Sequence, residues 1–280
     1  MSVAETSPQS EHQNPVDAQN PTGQRILASQ RHDEILRRLN EDGVAGISEV
    51  AAFFDVSRET IRRDLKLLAQ RGLLALVHGG ATKIQLHEPA FGVRSQENSG
   101  GKAAIGQAAC ALIRSGMVVF LDSGTTTLAL AQALTQQDKA PENLTICTTS
   151  LRIALQLCHV PTIRVHILGG EISPEEEASG GIDVLQALEH FRFDLAFLGT
   201  GGITAEGEIT DFTRNGAELR SRLAVVAGEA WFLASAEKFG RMTPLRVAHY
   251  EQAAGIITDH RPEPQFVTAL AEKGLRLHIS

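Results

Sequence analysis

Three polar loops in this 280-residue chain have the composition of an anion cradle. Asp122-Ser123-Gly124-Thr125-Thr126-Thr127 follows the apolar run Val118–Leu121, Thr148-Thr149-Ser150 follows Leu144–Cys147, and Gly199-Thr200-Gly201-Gly202 follows Leu195–Leu198. Glycine lets a backbone approach a ligand closely. Threonine hydroxyls, with the unpaired N–H groups at a helix start, favour a phosphate or similar anion. One such loop is ordinary helix-capping chemistry. Three of them after strands of one sheet point to a binding crevice.

A second constellation is basic. From Val56 to Lys83 the chain carries Arg58, Arg62, Arg63, Lys66, Arg71 and Lys83 against Glu59 and Asp64, a local excess of +4 in a chain of net charge −7. Whole-chain acidity argues against nonspecific nucleic-acid binding, whereas a local basic patch is the electrostatic feature that DNA selects. Ile61, Leu65 and Leu68 recur at helical spacing and must face a core, which leaves Arg58, Arg62 and Lys66 on one outward face flanked by Thr60 and Arg63. Arginine can chelate guanine through both its N–H groups, while Lys66 and Arg71 suit phosphate. Ser57, as the helix cap, leaves backbone N–H groups for another phosphate. A solvated basic face and a protein-docking helix have the same pattern, and periodicity with charge leaves all three readings open.

The elements that position these groups follow from periodicity. Residues 1–23 hold almost no large apolar side chains and read as a disordered tail. Ile35, Leu36 and Leu39 mark a first helix stopped at Asp42-Gly43, and a second opens at Ser48 as N-cap with Val50, Ala51, Phe53 and Phe54 inside. Ser57 caps the third, which Gly72 ends; Leu73–Lys83 reads as two short strands around the hairpin tip His78-Gly79-Gly80. Three helices and a hairpin make a winged helix-turn-helix over 24–83, whose third helix enters the major groove. Residues 84–98 form a linker or interdomain helix. Beyond it, apolar runs at 118–121, 144–147, 165–168, 195–198, 231–234 and 255–258 alternate with helical stretches at 102–114, 125–136, 151–158, 181–191 and 214–228. Strands apolar enough to be covered on both faces predict a mostly parallel α/β sheet over 99–280.

Composition narrows the classes. The chain is 42% hydrophobic and 21% charged, ordinary globular material, with no apolar stretch of membrane-spanning length and no basic-then-apolar leader. A cytoplasmic protein without membrane contact is expected. Cys110, Cys147 and Cys158 are odd in number, lack CxxC spacing and sit among apolar residues, so buried thiols are expected rather than disulfides or a metal site. No cofactor, metal or catalytic residue is assigned.

The strings themselves resemble a family. Val56-Ser57-Arg58-Glu59-Thr60-Ile61-Arg62-Arg63-Asp64-Leu65 looks like the VSxxTIRRDL signature of DeoR-type regulators, and Gly72-Leu73-Leu74 with Val77-His78-Gly79-Gly80-Ala81 resembles that family's wing, GLLxRxHGGA. The likeness continues through Asp122–Thr127 (DxGTTT), Leu168-Gly169-Gly170-Glu171 (LGGE), Phe197–Ile203 (FLGxxGI) and Lys238–Arg241 (SKFGR). It implies a helix-turn-helix at about Ala45–Asp64 reading operator DNA through Ser57, Arg58, Thr60, Arg62, Arg63, Lys66, His78 and Gly79. It further implies a sensor domain with a fold resembling ribose-5-phosphate isomerase and a phosphorylated metabolite as effector. Asp122 would then orient ligand hydroxyls and Ser123, Gly124, Thr125 and Thr126 would cradle the phosphate. Thr149, Ser150, Gly169 and Gly201 would line the pocket, with Lys102 and Lys238 as cations beside the anion. The implied role is a repressor of a carbohydrate or glycerol-phosphate catabolic operon. Departures stand at Ala75-Leu76, where the family often has a basic residue, at Gly101 (commonly Glu), Thr149 (Asn), Ser235 (Asp) and Arg220 (Lys).

Two other classes stay in view. A sugar-phosphate isomerase fused to a DNA-binding module would need a general base, for which Asp122, Asp183 and Glu208 are the nearest carboxylates, and no motif joins two of them. A docking scaffold would bind neither operator nor metabolite. One winged helix reads few base pairs, so the DNA reading calls for a homodimer or homotetramer.

Overall fold

The computed structural model describes residues 27–77, 79–83, 87–137 and 141–280. The tail expected at 1–23 and His78 lie outside the described residues.

The N-terminal module is built as its periodicity requires. Helix α1 (Ala28–Asp42) buries Ile35 and Leu39 and stops at Gly43, whose φ of +78° a side chain would disfavour. Strand β1 (Val44–Gly46) follows and feeds α2 (Ile47–Phe54) directly. Gly46 is therefore the cap of α2, and Ser48 lies inside its first turn rather than capping it. The helix ends at Asp55 in the left-handed region, and Ser57 caps α3 (Arg58–Gln70) by accepting from the Thr60 N–H at 3.1 Å. Ile61, Leu65 and Leu68 are buried against Ile35, Leu39, Val50 and Phe54. The wing is β2 (Ala75–Val77) and β3 (Gly80–Thr82), in an antiparallel sheet ordered β1-β3-β2. The third strand, β1, was not expected. Gly80 is what lets it close: a Cβ there would sit 2.2 Å from the Ala45 carbonyl oxygen.

Past the wing comes α4 (Phe91–Gln96), then α5 (Ser99–Cys110), capped by Asn98, so that Lys102 lies within the helix instead of opening it. The remaining elements alternate: β4 (Val118–Leu121), α6 (Thr125–Thr135), β5 (Leu144–Thr148), α7 (Leu151–Leu157), β6 (Ile163–Ile167), the hairpin β7 (Glu171–Ser173) and β8 (Ala178–Gly180), α8 (Ile182–Ala187), β9 (Leu195–Leu198), β10 (Gly202–Ile203), β11 (Ile209–Asp211), α9 (Arg214–Val226), β12 (Glu229–Leu233), β13 (Leu245–Arg246), β14 (Gly255–Thr258), α10 (Pro264–Glu272) and β15 (Arg276–Ile279). Seven strands form one parallel sheet ordered β15-β14-β12-β9-β4-β5-β6. Its inner strands β4, β9 and β14 are largely apolar because both faces are covered, whereas the edge strands β6 and β15 carry Arg164, His166, Arg276 and His278. Phe120, Leu198 and Phe232 enter one core with α9, while Val119, Leu121, Phe197 and Trp231 enter the other beneath α5 and α6. The expected α/β class with its mostly parallel sheet is what forms. Added to it are a small antiparallel sheet, β10-β11-β13, and the β7–β8 hairpin.

Strand order fixes where a ligand can go. From β4 the chain winds outward through β5 to β6, and from β9 it winds the other way through β12 and β14 to β15. The reversal between β4 and β9 leaves a crevice at their carboxyl ends, the place where open α/β sheets bind ligands.

Cys110 and Cys147 are buried, and burial pushes their thiols up to about 11 and about 12. Cys158 corrects the expectation of three buried thiols: it follows the last residue of α7 and is exposed despite its apolar neighbours in sequence.

Candidate DNA-reading face and effector cleft

On α3, Arg58, Arg62, Arg63 and Lys66 are exposed, and Arg71 just past the helix is exposed too. Thr60 is half-buried, its hydroxyl 2.9 Å from that of Ser57. Gly79 stands exposed at the wing tip with φ +78°. The two acids of the basic window behave differently. Glu59 lies 3.3 Å from Arg62 in solvent. Asp64 faces inward, accepting from Arg31 Nε at 2.7 Å and lying 3.0 Å from His32 Nε2, and so ties α3 to α1. Burial raises its pKa, but these two partners outweigh burial and hold it below the usual carboxylate value. With Asp64 turned inside, the outward face of α3 is more basic than the residue count conveyed. Leu76, at the family's basic wing position, is half-buried and packs against the module's core.

The crevice between β4 and β9 opens into two connected compartments. A narrow one of about 100 Å³ is lined by Ser123, Gly124, Thr125 and Thr126 and by Lys102, Lys238 and Arg241. A wide one of about 390 Å³ includes Asp122, Ser123 and Thr149. Gly124, at φ +138°, delivers the chain into α6, whose first-turn residues Thr125, Thr126 and Thr127 line the narrow compartment. The structure thus brings together Lys102, Ser123, Gly124, Thr125, Thr126 and Lys238, and places Asp122 and Thr149 next door. Ser150 is buried as the cap of α7, accepting from the Ile153 N–H. Gly169 and Gly201 line neither compartment.

Charge within the cleft is arranged, not solvated. Burial together with neighbouring Arg241 lowers Lys238 to about 8. Lys102 is buried, its pKa lowered by burial, and its ammonium donates to the carbonyls of Arg94 and of Glu97, the latter at 2.7 Å. It therefore clamps the backbone of the interdomain segment onto the cleft. Asp122 is fully engaged: it accepts from the N–H groups of Ser123 and Gly199, each at 2.8 Å, and from Arg220 Nε at 2.6 Å. It shapes the loop more than it addresses a ligand.

Arg220, noted in the sequence only as a departure, is central. It also pairs with Asp211, and although burial opposes its charge, Asp122 raises its pKa further. Arg94 forms a matching unit, pairing with Glu88 at 2.9 Å and Glu176 at 2.7 Å and donating to the Pro89 carbonyl. Neither arginine belonged to a motif that spacing could mark. The Gly101 departure has a local reason: a Cβ there would sit 2.2 Å from Asp259 Oδ2 and 2.6 Å from Asn98 Oδ1, within the bonds that hold Asn98 to Asp259. The carboxylates considered for proton abstraction are dispersed. Asp183 is exposed on α8, and Glu208 faces Arg246 at 3.3 Å on the small sheet.

Comparison with known proteins now places the chain. The DeoR-like helix-turn-helix domain matches residues 31–86, and the DeoR C terminal sensor domain matches residues 97–260. An uncharacterized HTH-type transcriptional regulator FruR of Bacillus subtilis is 32% identical over 84% of this chain and 92% of its own. The glycerol-3-phosphate regulon repressor of Escherichia coli is 28% identical over 90% of this chain and 98% of its own. Among solved structures, ribose 5-phosphate isomerase A of Methanocaldococcus jannaschii aligns with 51% of this chain and 55% of its own, at 16% identity and a TM-score of 0.36. With both halves matched in this order, the chain belongs to the DeoR family of DNA-binding transcription regulators.

Proposed function

We propose that this regulator represses a carbohydrate or glycerol-phosphate catabolic operon in the cytoplasm as a homodimer or homotetramer, and leaves its operator when a phosphorylated metabolite enters the cleft. One observation carries the reading. The Ser123–Thr126 loop, which runs into the start of α6, lines the same small compartment as Lys102, Lys238 and Arg241. In it Lys238, lowered to about 8, gains from an anionic partner. A 28% identical relative named for the glycerol-3-phosphate regulon supports the class of gene. Among the described residues no helix is long and apolar enough to cross a membrane.

The segment over 84–98 is the natural carrier of the signal. It leads from β3 into α4, where Arg94 grips Glu176 and Lys102 holds the Arg94 and Glu97 carbonyls. A ligand group that draws on these charges alters how the DNA module is anchored. Charge-assisted hydrogen bonds contribute roughly 1.5–3 kcal/mol each, and allosteric couplings amount to about 1–3 kcal/mol. One such contact is thus enough to set the response. Operator contacts fall to Arg58, Arg62, Arg63 and Thr60 at base edges and to Ser57, Lys66 and the Gly79 wing at phosphates.

The test uses the full-length protein. Duplexes selected from a random pool at about 50 mM salt are retained, and the complex is challenged with phosphorylated three- to six-carbon metabolites in an anisotropy titration. Release by one of them, with saturable thermal stabilisation of the free protein, is the expected result. Retention of no duplex removes the regulator reading. Retention without release by any phosphate ester removes the effector class. Absence of turnover in a coupled isomerase assay separates a sensor from the enzyme alternative.

A further inference from the structure

The two compartments of the cleft differ sharply in charge. Among the described residues five cations, Arg94, Lys102, Arg220, Lys238 and Arg241, line the narrow compartment beside four carboxylates, Glu88, Glu97, Glu176 and Glu237. Among the described residues Arg220 alone also lines the wide one, whose wall holds six carboxylates. Four of these six belong to two units of the same composition, each with two carboxylates on one guanidinium: Glu88 and Glu176 on Arg94, and Asp122 and Asp211 on Arg220. Each unit is one negative charge in excess. The units are close enough that Glu88 and Glu176 also act on Arg220. The strain of that excess is visible at Glu176, where burial and the neighbouring Glu88 raise the carboxyl above its ordinary value in spite of Arg94.

A second, independent observation marks the wide compartment as a place for a ligand. Thr149 lines it, is 1% exposed, and its hydroxyl has no hydrogen-bond partner. A buried polar atom left without a partner costs about 1–3 kcal/mol, which a ligand group can recover. At about 390 Å³ the compartment is of a size that encloses small ligands. A divalent cation is poorly served, because no group of three or more His, Cys, Asp or Glu suited to a metal occurs among the described residues.

We infer that the effector is a zwitterion: its phosphate occupies the narrow compartment and a protonated amine on a sugar-sized body occupies the wide one, which is the chemistry of an amino-sugar phosphate. The inference rests on the phosphate reading of the Ser123–Thr126 loop. An amine beside the Glu88–Glu176 pair balances the excess negative charge, and a ring hydroxyl reaches Thr149. A hexose phosphate without an amine makes the second contact and forgoes the first.

The experiment compares ligands that differ at one atom. Thermal-shift titrations of the full-length protein are made with glucosamine 6-phosphate, glucose 6-phosphate and N-acetylglucosamine 6-phosphate, and with the galactose-configured trio. Expected is binding of the free amine at least about tenfold tighter than of its hydroxyl and N-acetyl counterparts in one trio, about 1.4 kcal/mol. Glu176→Gln should then reduce that preference to within about threefold. Equal affinities, or tighter binding of the hydroxyl or N-acetyl compound, overturn the amine inference and leave the phosphate reading standing. Binding of none of the phosphate esters, while Tm responds to other anions, overturns both.

Discussion

Asp64→Asn should loosen the DNA-reading module without touching its DNA-facing surface. Asp64 is 7% exposed and holds Arg31 at 2.7 Å and His32 at 3.0 Å, joining α3 to α1. The amide keeps the shape but loses the charge, so the bond from Arg31 loses its anionic acceptor. Hydrogen bonds to charged groups contribute roughly 1.5–3 kcal/mol, and breaking a fully buried pair costs about 3–5 kcal/mol. The side chains here keep 11% and 10% exposure, so water softens the penalty and about 2–3 kcal/mol is expected. That is a shift of roughly 30- to 150-fold in the opening equilibrium of the module.

Hydrogen exchange on the full chain reads this directly. Amides of α1 and α3 should exchange faster by that factor, while those of β4 and β9, in a separate core, stay protected. Because the folded pKa of Asp64 lies below its unfolded value, its contribution is complete above about pH 3.9. It fades as pH falls through the folded value. The stability gap between wild type and Asp64→Asn should therefore shrink in acid. Protection in α1 and α3 unchanged within about threefold at neutral pH would refute the reasoning.

Other expectations follow from the same geometry. Arg62→Ala should cost about 1–3 kcal/mol on the preferred duplex and relax selectivity at one base pair, whereas Lys66→Ala should weaken all duplexes alike and reduce the salt slope by about one; anisotropy titrations at several salt concentrations tell them apart. Effector affinity should fall as pH rises through about 8, where Lys238 loses its proton, and Lys238→Met should lower the affinity and flatten that dependence. Calorimetric titrations between pH 6 and 9 check this, the range being set by that value. Gly106→Ala should lower Tm: its Cβ would lie 2.7 Å from the Ala129 carbonyl carbon, so α5 and α6 must separate. Overpacking of this kind costs about 1–3 kcal/mol, a fall of several degrees in a thermal melt.

What the sequence disclosed and what it withheld divide along a physical line. Ile61, Leu65 and Leu68 at helical spacing, or Val118–Leu121 as an unbroken apolar run, are local patterns produced by one element meeting one core, and they fixed the helices and the central strands. The loop that lines the narrow compartment was legible for the same reason, since Ser123–Thr126 is contiguous. Strand β1 was not, because three residues become a strand only when β3 lies alongside to pair with them. Nor was the end of the sheet, where β15 closes on β14 through main-chain bonds that Arg276–Ile279 do not announce. Cys158 shows a neighbouring weakness: apolar neighbours in sequence say nothing of which side of a helix end a residue takes.

The charged half of the cleft is the clearest case. Arg220 meets Asp122 across 98 positions and Arg94 meets Glu176 across 82, and neither separation leaves a periodic trace. Asp122 read in isolation is a hydroxyl binder. Read with Arg220 and Asp211 it is one arm of a buried ion network with both oxygens engaged. On the proposed reading the side chain left to meet a ligand is Thr149, whose hydroxyl is buried and unpartnered. A side chain that could bind therefore has to be told apart from one already bound, and that difference is set by partners distant in sequence.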